Sequence, residues 1–171
     1  MKIPILFLAL FTIEKARSQS ITIDNPQDAE KAKIACQIVK KYEPEIYEAI
    51  VQHCFIQRFS HPESPFWSTC DYDLSNRSLW ILLATDELRQ RSQYRIAGTI
   101  YHEALHLYFE LQRERNRQPV DFSNLSAHDK KQEEVFIYKK TRELLTKIGT
   151  PLWEIQEYDQ WVKGAETRNY F

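Results

Sequence analysis

Ser92-Gln93-Tyr94-Arg95-Ile96-Ala97-Gly98-Thr99-Ile100-Tyr101-His102-Glu103-Ala104-Leu105-His106-Leu107-Tyr108-Phe109-Glu110-Leu111-Gln112-Arg113 runs 22 residues with no proline and a single glycine. Ile96, Ala97, Ile100, Tyr101, Ala104, Leu105, Leu107, Tyr108, Phe109 and Leu111 fill nearly its whole circumference at helical spacing, which predicts a long, central, buried helix over 92–113. Within one turn of that apolar rod stand His102, Glu103 and His106. Groups of this kind are costly to bury without a partner.

Just upstream, 79–84 (Leu79-Trp80-Ile81-Leu82-Leu83-Ala84) is a short apolar run between polar flanks and reads as a strand. Further back, Asp24-Asn25-Pro26 is a helix-start signal. A helix is expected from there to about Tyr42, with Ala32, Ala35, Cys36, Ile38, Val39 and Tyr42 on one face. Pro44 breaks it before a second helix over 45–58, with Ile46, Ala49, Ile50 and Cys54 inward. The stretches 61–65 and 116–126 read as loops. Downstream, a helix over 127–148 is closed by Gly149-Thr150-Pro151, and a last one covers 151–163 with Trp153, Ile155, Tyr158, Trp161 and Val162. The expected class is α+β, mostly helical, a compact domain with a small sheet beside the central helix.

With 171 residues, 43% hydrophobic and 27% charged, the chain has the size and composition of one domain with its own core. A formal charge of -1 gives no cationic field for nucleic acid. Only 3 glycines are present, and no phosphate-cradling glycine motif occurs. At the N-terminus, Met1-Lys2 precedes an apolar run from Ile3 to Ile13, and Ala16 and Ser18 suit the small-residue cleavage rule. Residues 1–18 therefore read as a signal peptide, leaving 19–171 as the mature domain after cleavage at Ser18–Gln19, secreted or periplasmic, with 20 basic and 23 acidic residues. The apolar run is shorter than the roughly 20 residues of a bilayer span, so no stable membrane anchor is expected. An oxidising compartment would permit one disulfide among Cys36, Cys54 and Cys70.

His102-Glu103-Ala104-Leu105-His106 places two imidazoles one turn apart and roughly 40° round a helix, where both can reach one ion from the same side. Neutral imidazole nitrogen is a preferred zinc ligand, and Glu103 lies near enough to serve as a base without ligating. Catalytic zinc takes three protein ligands. Glu134 is the favoured third donor, since counting back from Ile137, Thr141, Leu144 and Ile148 puts it on the inward face of its helix. Glu133 and His128 are the alternatives, while His53 and His61 stand apart.

Two histidines and a downstream glutamate resemble the zincin metallopeptidases, in particular the gluzincin arrangement. Residues 100–108 are also similar to the active-site helix of small SprT-like peptidases, whose third ligand is generally His and would match His128. The resemblance spans 79–148, and Leu107-Tyr108-Phe109-Glu110 lacks the Gly and third His of the metzincin extension. It implies a zincin-like domain that hydrolyses peptide bonds in a protein or peptide substrate, with one catalytic Zn2+ and Glu103 as general base and proton shuttle. An oxyanion-stabilising group is expected, with Tyr101, Tyr138 and Tyr158 as candidates. The 79–84 strand is expected to pair with an extended substrate. The competing readings are a zinc-binding module without hydrolytic activity, and a metal-free exported helical protein that meets a partner through Trp153, Tyr158 and Trp161.

Overall fold

A computed structural model describes residues 20–59, 69–73, 78–116 and 122–168. The expected leader (1–18) and loop 61–65 lie outside these residues. In chain order the elements are β1 (Ser20–Thr22), α1 (Pro26–Tyr42), α2 (Pro44–His53), β2 (Cys54–Phe59), β3 (Thr69–Asp73), β4 (Ser78–Ala84), α3 (Thr85–Gln90), α4 (Gln93–Arg115), a 3-10 turn (Phe122–Asn124), α5 (Ala127–Lys147) and α6 (Leu152–Thr167). The fold is α+β and mostly helical, with one small sheet.

Local chemistry sets the helix ends. Asn25 caps α1 by accepting from the backbone N–H groups of Gln27 (2.9 Å) and Asp28 (3.0 Å), and Pro26 occupies the first turn, where no donor is lost. Ser92 caps α4, and the fully buried Glu154 of α6 fixes Ser92 in turn by accepting from its N–H (2.8 Å) and hydroxyl (2.5 Å). A carboxylate is thereby held at the positive end of the α4 dipole. Ser126 caps α5 through Asp129 N–H at 3.1 Å. At the far end of α5, Gly149 takes φ 77°, while Gly149 N–H reaches Thr146 O (3.3 Å) and Thr150 N–H reaches Leu145 O (3.1 Å). This is a Schellman closure, which needs a residue free to turn left-handed.

The sheet corrects two expectations. Its order is β1-β2-β4-β3, with β1, β2 and β4 parallel and β3 antiparallel to β4. The helix expected over 45–58 ends at His53, and Cys54–Phe59 is β2. Cys54 follows Ile50 at helical spacing, yet from Cys54 onward burial alternates, with Cys54 and Ile56 inside. Pairing with β4 in the register Cys54↔Leu79, Phe55↔Trp80 decides the matter, and Phe55 stacks on Trp80 at 4.7 Å on the opposite face. The second correction concerns β4. Lying between β2 and β3, it has hydrogen-bonding neighbours on both sides and offers no edge to a substrate. Among the described residues, the terminal strand on that side is β3.

No disulfide joins Cys36, Cys54 and Cys70, although an oxidising compartment would permit one. Cys36 and Cys54 are small core residues, and Cys70 lies on β3. Among the described residues, no helix is long and apolar enough to cross a membrane.

Helix α4 is the axle of the domain, packed against α1, α2, α5, β3 and β4. Its close approach to α5 depends on Gly98, because a Cβ there would stand 2.6 Å from Leu145 Cδ2 and 3.1 Å from Leu145 Cγ. Leu145 is fully buried and cannot yield outward. Alanine gains about 1 kcal/mol of helix propensity over glycine, whereas overpacking costs about 1–3 kcal/mol. Gly98→Ala is therefore expected to lose about 1 kcal/mol net. The measurement is a urea unfolding curve, whose midpoint should fall at constant slope.

Candidate metal centre

The α4–α5 contact sets His102 and His106 opposite Glu134. The imidazole centroids are 5.3 Å apart, and both Nε2 atoms face one carboxylate. His102 Nε2 lies 3.9 Å from Glu134 Oε2, and His106 Nε2 lies 3.6 Å from Glu134 Oε1. The three ligand atoms fall within 4.8 Å of one another. Donors about 2.0–2.1 Å from a tetrahedral zinc stand about 3.3–3.4 Å apart. The two His–Glu separations, 3.9 and 3.6 Å, stand close to that spacing.

Each Nδ1 is already engaged on the other side of its ring. His102 Nδ1 meets the buried Tyr158 hydroxyl of α6 at 3.2 Å. His106 Nδ1 meets Glu133 Oε1 at 3.3 Å, and Glu133 Oε2 is held by Arg113. In the neutral tautomer whose Nδ1 donates to these oxygens, each Nε2 keeps its lone pair toward the shared point, as a metal-ligating histidine requires. This donor set fits a divalent ion.

The electrostatics follow from burial. His102 is held well below the usual histidine range by desolvation, with neighbouring His106 and Arg95 adding to the effect. Burial also depresses His106, but the Glu133 hydrogen bond and the charges of Glu134, Glu103 and Glu133 carry it above its ordinary value. Desolvation lifts Glu134, against the opposing pull of His106 and Arg168. Glu103, buried behind the histidines, is pushed up to about 7, chiefly by desolvation, although His106 and a hydrogen bond from the Cys70 thiol pull the other way. That thiol is itself raised by burial and by Glu103, so it stays protonated and donates. The contact also shows that β3 runs beside the site.

The structure thus brings together His102, Glu103, His106 and Glu134. His128 does not join them, being exposed on the first turn of α5 with its Nε2 2.7 Å from Gln132. Glu133 reaches His106 from the Nδ1 side rather than as a third donor. His53 ends α2, away from the cluster, and His61 lies outside the described residues. Of the three tyrosines, Tyr101 is buried toward Glu43 and Glu143, and Tyr158 is committed to His102 Nδ1. Tyr138 lays its ring edge-on to His102 at 4.6 Å, and Phe122 does the same to His106 at 5.3 Å.

Sequence reasoning missed the roles of Tyr158, Arg113, Cys70 and Phe122. Only Arg113 carried a signal, since it lies two turns beyond His106 on the same helix face. The aromatic C-terminal helix is largely inward. Tyr158 is core and Trp161 is half-buried, with the Arg95 guanidinium over the two rings at 4.6 and 4.8 Å. Trp153 is exposed and covered by Arg91 at 5.2 Å.

The chain matches no protein-family model, no curated protein and no solved structure.

Proposed function

We propose that the chain is an exported zinc-dependent peptide hydrolase, with His102, His106 and Glu134 as the metal ligands and Glu103 as the general base. The observation that carries this reading is the convergence of both Nε2 atoms on the Glu134 carboxylate, with each Nδ1 occupied from behind. The leader-like run from Ile3 to Ile13 supports export.

A bound Zn2+ would supply Lewis acidity, lowering the pKa of water toward 7 and polarising a carbonyl. The chain's own residues do the rest. Glu103, buried beside the histidines and outside the ligand triad, is placed to take a proton from the attacking water and return it to the departing amine. The Cys70 thiol, donating to that carboxylate, stabilises its ionised form. The rings of Tyr138 and Phe122 flank the histidines and limit the approach of bulk solvent. Among the described residues, an extended peptide has the outer edge of β3 to pair with, since β4 is enclosed and β3 passes Glu103 at Cys70.

The test is to measure zinc stoichiometry by atomic absorption and cleavage of a diverse peptide library, before and after chelation. One zinc per chain, with hydrolysis lost on chelation and regained on adding zinc, is the expected result. Zinc bound without cleavage of any peptide would leave a binding module. No stoichiometric zinc would remove the reading altogether.

A further inference from the structure

The metal reading leaves two adjacent carboxylates, Glu133 and Glu134, against the same imidazole. The geometry points to a division of labour between them: Glu133 is the positioning residue for His106, and Arg113 holds it in that role, so that Glu134 alone of the pair is presented to the ion. This rests on the ligand set proposed above.

Glu133 Oε1 sits at Nδ1 of His106, on the far side of the ring from the Nε2 that faces Glu134. Its other oxygen is paired with the Arg113 guanidinium, which α4 delivers two turns beyond His106. The side chains of His106, Glu133 and Arg113 are exposed by only 12%, 8% and 12%, so water does little of the work of neutralising the acid. An ionised carboxylate only accepts, which makes Nδ1 the donor and, in the neutral imidazole, leaves the Nε2 lone pair free. Without Arg113, a second buried anion would stand beside the ion site and compete with Glu134. With it, Glu133 is turned away and charge-balanced. His102 is anchored differently, by a neutral phenol, so the two imidazoles are not equivalent.

The experiment has two readouts on wild type, Glu133→Ala, Glu133→Gln and the double variant Glu133→Ala/Arg113→Met. The double variant removes both charges together and covers the case in which a stranded buried arginine unfolds the single one. First, the 15N ring shifts of His106 in the metal-free protein at pH 8 report the tautomer. Wild type is expected to hold the Nδ1–H form and both Glu133→Ala chains to lose it, while Glu133→Gln, whose amide oxygen still accepts, retains much of it. Second, zinc affinity by competition with a chromophoric chelator should fall about 10–100-fold in both Glu133→Ala chains and less in Glu133→Gln. Affinity unchanged in Glu133→Ala, or an Nε2–H form in wild type, overturns the inference while the ligand set stands. A wild type that takes up no zinc overturns the ligand set and this inference together.

Discussion

Glu103→Gln is expected to keep its zinc and to lose peptide hydrolysis by about 10²–10⁴-fold, the usual contribution of a positioned general base. The two halves of that result answer different questions. Retention of zinc is expected because Glu103 lies outside the triad whose donor atoms converge. Loss of turnover is expected because the amide cannot accept the proton, while its size preserves the packing behind the histidines. A parallel loss of zinc would make Glu103 a ligand or a structural prop. The same substitution has a signature in stability. In the metal-free fold Glu103 is raised from 4.5 to about 7, so the folded chain holds its proton more tightly than the unfolded one. Its contribution is complete below about pH 4.5 and is lost as pH climbs to about 7. Gln does not titrate there. The unfolding free energy of wild type minus that of Glu103→Gln should therefore fall across this window, by about 3 kcal/mol at 1.36 kcal/mol per pKa unit, and level off above it. Urea unfolding of the metal-free proteins at several pH values reads the difference directly, and a flat difference would refute the buried-acid account.

What the sequence discloses about this molecule divides along the line between local and long-range physics. Caps and stops lie within a few residues of what they control, so Asn25-Pro26 and Gly149 mark helix ends that the structure places within a residue or two. The face of α5 is likewise a matter of counting, and Glu134 points where the apolar positions of its helix say it does. Cys54 is the contrary case. Its spacing from Ile50 continues a helical pattern, and only pairing with β4, 25 residues further on, turns Cys54–Phe59 into a strand. Thr69–Asp73 carries two aspartates, poor strand formers, and is a strand because β4 supplies its partner. The enclosure of β4, which bars it from meeting a substrate, is a property of sheet order that no single run of residues encodes. In the site the same division recurs. The His102–His106 pair is visible from periodicity, whereas the hydroxyl that orients His102 comes from Tyr158, 56 residues away on another helix.

A second large effect concerns the energetic cost of the ligand cluster when no ion is bound, and Glu134→Gln exposes it. Desolvation raises the Glu134 pKa, so above the ordinary carboxylate range its ionised form is a net burden on the folded state. His106 offsets this only while it keeps its proton, and that compensation fades as pH rises past its elevated value. At pH 8 in chelator, Glu134→Gln is therefore expected to be more stable than wild type. Zinc should reverse the order. Free zinc at 100 times the dissociation constant adds about 2.7 kcal/mol to a protein that binds it only when folded. For a chain of this size that is a rise in Tm of about 5–10 °C. Glu134→Gln, deprived of its carboxylate ligand, should gain little. The crossing of the two melting temperatures with zinc concentration separates the alternatives. A structural His–Glu pair predicts that the substitution destabilises with or without the ion, whereas a site held ready for a cation predicts gain in one condition and loss in the other. Wild-type and Glu134→Gln melting curves at pH 8, in chelator and across a zinc titration, decide it, and curves that never cross would leave the cluster as a buried ion pair.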